Sequence, residues 1–134
     1  MHAAPPADIR SAAARFAPPG AHVFLALERD ATTGVIAWTR DGRPQALALR
    51  WSDGRWRAAK SRGLSLKAGP GVVHEPFLLR VRGASVVWID GREAAITGYE
   101  YVLLIGQRRG AHTVVALAQR GAGAVARAWS YTVR

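Results

Sequence analysis

The residues whose types are best suited to binding a ligand lie between positions 38 and 62, where tryptophans and arginines are interleaved. Trp56, for example, is flanked by Arg55 and Arg57. Indole rings stack on bases and sugars, and guanidinium groups attract phosphates and carboxylates, so such a set suits single-stranded nucleic acid, sugars or acidic cell-wall polymers. The sequence therefore predicts a polyanion-binding set: Arg50, Arg55, Trp56, Arg57, Lys60 and Arg62.

The same tryptophans also fit a packing role. Trp38 and Trp51 alternate with polar neighbours, as core-facing residues of half-buried strands do, and this pattern favours burial for both. Trp56 lies next to the Asp53-Gly54 turn, where burial and exposure are equally expected. Exposure of Trp56 beside clustered arginines would favour polyanion binding, whereas evenly spread arginines would favour a spacer or protein-partner role.

Residues suited to catalysis or metal binding are scattered along the chain. The histidines lie far apart, without partners at metal-ligand spacing: His2, His22, His74 and His112. Four carboxylates fit a helix cap or tight turns: Asp8, Asp41, Asp53 and Asp90. The chain has no cysteine and no serine in a nucleophile elbow. We expect no catalytic residue, metal or cofactor; a small hydrolase or ligand-pocket protein using Glu28, Glu75 or a histidine is an alternative.

The formal net charge of +10 points to anionic partners, because a basic surface attracts polyanions whatever their sequence. The charge also has a compositional explanation. Of the 19 basic residues only Lys60 and Lys67 are lysines, a skew towards arginine that is typical of a GC-rich genome. This skew favours an ordinary solvated surface over a dedicated polyanion site; an anionic envelope polymer or nucleic acid is the partner expected if such a site exists.

Hydrophobic periodicity predicts one helix and four strands in the first half of the chain. Residues 8–16 form a short helix whose apolar face includes Ile9 and Phe16. The strands follow as a meander: 22–28, 34–40, 43–51 and 55–60. Asp41-Gly42 and Asp53-Gly54 are hairpin signals, because a type I′ turn needs positive φ at both central residues.

Alternating residues predict a second run of strands: 77–82, 85–89, 99–105, 113–118 and 124–133. Asp90-Gly91 is a third hairpin signal, and Gly121-Ala122-Gly123 joins the last two strands. Residues 63–71, with three glycines and Pro70, mark a junction. The predicted fold is mainly β (α+β). It places a helix on an antiparallel meander in residues 1–66 and a β-sandwich in residues 67–134, with the two parts acting as one rigid unit.

From Pro70 onward the chain resembles bacterial immunoglobulin-like modules. WIDGREAAI is similar to one of their strand-turn-strand units, and GAHTVVALAQRGAGAVARAWSYTV to their final hairpin. The resemblance implies an immunoglobulin-like sandwich of the kind used as a spacer, an adhesin or an enzyme appendage, and it transfers no functional residue. The paired cysteines of antibody-type domains are absent, which leaves Trp88 without that partner. The segment GVIAWTRDGRPQALALRWSDGRWRAAK looks like part of uncharacterised actinobacterial secreted proteins.

The first residues give an expectation of cellular location. His2-Ala3-Ala4-Pro5-Pro6 resembles the surroundings of a signal-peptidase cut, so we expect a secreted or cell-envelope protein, with the cytoplasm as the alternative. Apolar stretches such as Tyr101–Ile105 are too short to span a membrane. The expected function is a non-enzymatic extracytoplasmic binding or accessory module with a protein partner or an anionic envelope polymer, and the first alternative is a basic nucleic-acid-binding module.

Overall fold

A computed structural model describes residues 6–98 and 100–134, and these contain one helix and eleven strands. The helix is α1 (Pro6–Phe16). The strands are β1 (His22–Glu28), β2 (Thr33–Arg40), β3 (Arg43–Ser52), β4 (Arg55–Ala58), β5 (Val72–Val73), β6 (Phe77–Arg80), β7 (Val86–Ile89), β8 (Arg92–Ala94), β9 (Tyr101–Leu104), β10 (Gly110–Arg120) and β11 (Gly123–Val133). The prediction of a mainly β protein with one short N-terminal helix is confirmed.

The strands form three sheets. The first is an antiparallel meander in the order β1-β2-β3-β4. The second has five strands in the order β5-β11-β10-β7-β8, in which β5 runs parallel to β11 and the other neighbours are antiparallel. The third is the two-stranded antiparallel sheet β6-β9. No helix in the described part of the chain is long and apolar enough to cross a membrane.

The three predicted Asp-Gly turns each close a hairpin with a two-residue loop. Asp41-Gly42 has φ values of 54° and 74°, Asp53-Gly54 has 53° and 78°, and Asp90-Gly91 has 51° and 82°. Positive φ at both central residues is the type I′ geometry, which matches the right-handed twist of the flanking strands. These turns set the register of β2 with β3, β3 with β4 and β7 with β8.

Helix α1 covers one face of the meander. Ile9, at 1% exposure, packs in a cluster with Ile36 and Trp56. Gly34 lies directly under the helix, where a Cβ atom would overlap the Ile9 side chain. The helix begins two residues before its predicted start, because the fixed φ of proline suits the first helical position. Asp8, the predicted cap, is the third residue of α1, and its side chain is not among those that the structure describes.

The other face of the meander packs against the five-stranded sheet. Val35 and Ala48 of the meander share a buried cluster with Trp88 and Leu117. The opposite face of the five-stranded sheet covers β6 and β9 through a second cluster that includes Val114 and Tyr131. The β10-β11 hairpin is therefore buried on both faces. The molecule is built in four layers, from α1 through the meander and the central sheet to the β6-β9 pair.

Several strand boundaries differ from the prediction. Strand β4 ends at Ala58 rather than at residue 60, and β9 covers only Tyr101–Leu104 instead of 99–105. Strand β10 is longer, from Gly110 to Arg120, because it pairs with β11 along its whole length. The short strands β5 and β8 had no periodic signal in the sequence, since two or three residues are too few to show alternation.

Candidate functional site

Three of the predicted anion-binding arginines share one face of the meander. In the β3-β4 register Arg50 lies directly opposite Arg57, and Ser52 opposite Arg55. Directly opposite residues of antiparallel strands project to the same side, so the three guanidinium groups belong to one surface at the β4 edge. Arg55 and Arg57 are exposed and Arg50 is partly exposed. Within the described residues, none of the three forms a salt bridge with a carboxylate.

The structure corrects the prediction for Trp56, which cannot act as an exposed stacking ring. Its side chain is 2% exposed and meets Trp51 edge-to-face, with 5.4 Å between the ring centroids. Two physical reasons account for this burial. Alternation along β4 directs Trp56 to the face opposite Arg55 and Arg57, and α1 covers that face. Trp38 is buried in the same cluster at 7% exposure, and Trp51 is half-buried against it, as predicted for both.

A further cation, which sequence reasoning missed, stands beside this edge. Arg15 donates from Nη2 to the carbonyl oxygen of Trp56 at 2.6 Å, and its guanidinium carbon lies 5.0 Å from the ring centroid of Phe16. A depression of about 300 Å³ is lined by Arg15, Arg55 and Arg57 together with Phe16. The signal in the sequence was the position of Arg15 in the last turn of the predicted helix, but only the docked helix brings it to β4.

The two remaining predicted residues, Lys60 and Arg62, lie in the segment of residues 59–71 that follows β4. The carbonyl oxygen of Lys60 accepts a hydrogen bond from the Ala124 amide at 3.0 Å. Arg62 has a φ of 47° and packs so close to Gly123 that a Cβ atom there would lie 2.9 Å from the Arg62 Cβ. Both side chains are exposed. Their backbones lie beside the β10-β11 turn, and both residues follow Arg57 closely in the chain.

The sequence around these residues is nearly free of carboxylates. Residues 50–89 contain eight lysines and arginines and two acids, Asp53 in the β3-β4 turn and Glu75. Glu75 accepts a hydrogen bond from the Gln107 amide at 2.7 Å. The excess of positive charge is therefore concentrated in this part of the chain instead of being spread evenly. We call Arg50, Arg55, Arg57, Lys60 and Arg62 the cationic face.

A buried polar network is the strongest rival site. His112 is 5% exposed, and its Nδ1 lies 2.6 Å from Asp90 Oδ2 while its Nε2 lies 2.6 Å from the Arg108 carbonyl oxygen. The imidazole stacks on Tyr131 with 5.2 Å between centroids. Tyr131 in turn donates its hydroxyl to Gln107 Oε1 at 2.5 Å. Since both partners of the imidazole are acceptors, the ring serves them both only when it is protonated.

The titration of this network follows from its partners. Burial by itself would lower the pKa of His112, but the hydrogen bonds to the Arg108 carbonyl and to Asp90 outweigh burial, so the pKa lies above the ordinary 6.5. Burial, with the charges of Asp90 and Glu75, raises the pKa of Tyr131 to about 12. A histidine whose two nitrogens are both occupied is not positioned as a general base. Its hydrogen bonds instead connect β10 to the β7-β8 turn and to the 105–109 loop, which is a structural role.

The residues needed by the hydrolase alternative do not converge. A cavity of about 680 Å³ opens beside Asp90 and Arg108, yet among the described residues its wall contains neither Glu28, nor Glu75, nor a histidine. Glu28 lies at the end of β1, in a different sheet. In the described ranges 6–98 and 100–134, no three His, Asp or Glu side chains come together in a way that could hold a metal ion.

Comparisons with known proteins give no information on the function, which is therefore inferred from the geometry. Searches against protein-family models, against curated proteins and against solved structures find no match to this chain. The cationic face and the His112 network are thus judged on their own chemistry. The first presents several cations that have no salt bridge to a carboxylate in the part of the chain that the structure describes, and the second satisfies its own hydrogen bonds internally.

Proposed function

We propose that this chain is a non-enzymatic binding or accessory module that works outside the cytoplasm and holds an anionic envelope polymer on its cationic face. The observation that carries the proposal is the gathering of Arg50, Arg55 and Arg57 on one side of the β4 edge, with Arg50 directly opposite Arg57. Like charges directly opposite each other destabilise a sheet. A bound phosphate or carboxylate group removes that repulsion, and it can take two parallel hydrogen bonds from a guanidinium fork.

The burial of Trp56 bears on the class of ligand. With Trp56 buried, the ring predicted to stack on bases is not available, and the half-buried Phe16 ring in the adjacent depression lies against the Arg15 guanidinium. Stacking supplies much of the binding of single strands, so this source of affinity is weakened. What remains is a row of guanidinium and ammonium groups, which suits a flexible chain of repeated phosphates or carboxylates. This favours an envelope polymer over single-stranded nucleic acid as the target.

We also propose an immunoglobulin-like origin for residues 67–134, and the strand order supports it. With β5 counted as the first strand, the third, sixth and seventh strands (β7, β10 and β11) lie in one sheet. The second and fifth strands (β6 and β9) lie in the other, as in immunoglobulin domains. The first and fourth strands, β5 and β8, join the opposite sheet from that of constant-type domains. Trp88 lies on the third strand, where such domains carry their buried tryptophan, but it packs towards the meander instead.

The test is a charge-matched pair of double variants. We expect Arg55→Gln/Arg57→Gln to bind poly(glycerol phosphate) about tenfold more weakly at about 0.15 M salt. We also expect the slope of log K against log[salt] to become shallower by about one unit per arginine removed. The control is Arg40→Gln/Arg43→Gln, which removes the same charge from another exposed cross-strand arginine pair. We expect it to bind within about twofold of the parent chain, since it leaves the proposed contacts in place. Isothermal titration at two salt concentrations measures both quantities.

Two further readouts separate contact from bulk charge. If both double variants lose affinity equally, the attraction is nonspecific and the cationic face is not a site. Tighter binding of duplex or single-stranded DNA than of the polymer at about 0.15 M salt would instead favour the nucleic-acid module.

Removing Arg57 alone is expected to raise the free energy of unfolding slightly, by about 0.2–1 kcal/mol, because the repulsion with Arg50 disappears.

A further inference from the structure

A second surface, formed by the outer face of the β6-β9 pair, exposes large aliphatic side chains. Leu78 and Leu103 lie directly opposite each other in the register, and each is 52% exposed. Ile105, just after β9, is 66% exposed. Their strand neighbours Leu79 and Val102 point inward and are buried, so alternation places the leucines on the outside. Contiguous exposed apolar side chains of this kind mark an interaction surface.

Cations lie at both ends of this aliphatic patch. At one end, β6 continues with Arg80 and Arg82, which line a cavity of about 540 Å³ together with Lys67. At the other end, the chain after Ile105 reaches Arg108 and Arg109, both exposed. The arrangement along the face is thus cation, aliphatic patch, cation.

The acids near this face are fewer than its cations: Glu100 beside Arg80, and Asp90 and Glu93, which line the cavity of about 680 Å³ with Leu103 and Arg108. Arg80 has an ion pair with Glu100, at 3.4 Å between Nε and Oε2, and the Arg80 side chain is 57% exposed. An exposed pair of this length contributes little and leaves the other donors of the guanidinium available. The described residues show no salt bridge for Lys67, Arg82 or Arg109.

We propose that the outer face of the β6-β9 pair binds peripherally to an anionic lipid bilayer. Aliphatic side chains enter the boundary between headgroups and acyl chains, while flanking lysines and arginines meet anionic headgroups, each contributing to attraction near the surface. The surface lies on a different layer from the cationic face and does not depend on the polymer proposal. Its ligand is the bilayer surface itself rather than a single lipid species.

Two other occupants of this patch are less favoured. A second copy of the chain would bring two molecules of formal charge +10 together, with the arginines of both patches facing one another. Protein partners are usually held by aromatic and arginine anchors, and leucine is under-represented among such hot spots. The patch is centred on Leu78, Leu103 and Ile105, which suits insertion into lipid better than a protein contact.

The first experiment is co-sedimentation with vesicles of phosphatidylcholine alone or mixed with phosphatidylglycerol. We expect binding only to the mixed vesicles, and we expect Leu103→Gln/Ile105→Gln to weaken it about tenfold while the charge stays the same. The control is Val72→Thr, which removes exposed apolar surface from β5, at the edge of a different sheet. Because all three side chains are exposed, far-UV circular dichroism of each variant should match the parent.

A second measurement reports insertion directly. Since the chain has no cysteine, Ile105→Cys and Ala122→Cys each give a single site for an environment-sensitive dye. We expect a blue shift with phosphatidylglycerol vesicles for the dye at position 105 and none at 122, in the exposed β10-β11 turn.

Several results would overturn the lipid proposal. Equal vesicle binding by the parent and Leu103→Gln/Ile105→Gln would show attraction by charge alone. A dimer that the same substitutions dissociate, or capture of an acidic peptide in place of vesicles, would assign the patch to protein. Arg55→Gln/Arg57→Gln separates the two proposals, because it should lose polymer binding and retain the blue shift at position 105.

Discussion

At the level of single residues, the His112 network couples stability to pH. The imidazole is nearly buried and bridges Asp90 and the Arg108 carbonyl, while Thr113 donates its amide to the other Asp90 oxygen at 3.0 Å. Losing the proton of His112 removes the imidazole as a donor either to the Arg108 carbonyl or to the Asp90 carboxylate, whose side chain is 42% exposed, and this weakens the network. The loop that carries Arg108 and Arg109 is therefore held most firmly when His112 is protonated.

The first prediction concerns the pH dependence of unfolding. The pKa of His112 is raised above 6.5 in the folded state, so its contribution to stability is full below pH 6.5 and is lost as the pH rises through the folded-state pKa. Urea titrations across that range should show the free energy of unfolding falling as the pH increases. His112→Gln should abolish the slope and cost about 1–3 kcal/mol in acid.

The matched control for this prediction is His74→Gln, which changes an exposed imidazole. It should leave the slope unchanged. A slope that persists in His112→Gln would mean that another group governs the titration.

At the level of elements, α1 owes its stability to docking. An isolated helix of 11 residues is marginal in water, so packing of Ile9, Ala12 and Ala13 on the meander must hold it. Gly34 makes this close approach possible, because a Cβ atom there would overlap Ile9 and lie 3.3 Å from Trp56 Cη2.

The second prediction follows from that contact. Gly34→Ala should lower the free energy of unfolding by about 1–3 kcal/mol, because the helix must shift away from β2. Gly71→Ala is the control, since nothing lies within 4 Å of a Cβ atom at that position. Helix signal in far-UV circular dichroism and urea midpoints measure both. A Gly34→Ala chain as stable as its parent would show that the Ile9 side chain moves aside at no cost.

The sequence carried most of the information for the local elements. Asp-Gly pairs define the three tight turns because few residues accept two successive positive φ values. The sequence does not predict which side of the meander α1 covers, because this depends on docking between distant segments. For the same reason the sequence predicts burial and exposure of Trp56 with equal weight. The Asp90-His112 pair also escaped prediction, since its members are 22 residues apart and only the β7-β10 pairing brings them together.

At the level of the whole molecule, the central β10-β11 hairpin joins the two predicted units. One face contributes Leu117 to the cluster shared with the meander, and the other contributes Val114 to the cluster over β6 and β9. A polar link reinforces this, because Gln119 donates from Nε2 to Asp30 at 2.9 Å and to Thr33 at 3.0 Å. In the described part of the chain, the two predicted units thus share a core as well as the polar link through Gln119.

The third prediction tests whether the halves unfold together. Leu117→Ala should lower the free energy of unfolding by about 2–5 kcal/mol. Far-UV circular dichroism and amide exchange should both report one unfolding transition, with a lower midpoint than in the parent chain. Val72→Thr, at an exposed site, should leave the midpoint unchanged. Two separate transitions, only one of which responds to Leu117→Ala, would show that the halves are independent domains.

The five tryptophans are distributed so that every interface between layers contains at least one. Trp38, Trp51 and Trp56 lie between α1 and the meander, Trp88 between the meander and the central sheet, and Trp129 between the central sheet and the β6-β9 pair. The molecule therefore carries its own set of optical probes. Chains that keep a single tryptophan at 56, 88 or 129, with phenylalanine elsewhere, would report in fluorescence the order in which the layers assemble during refolding.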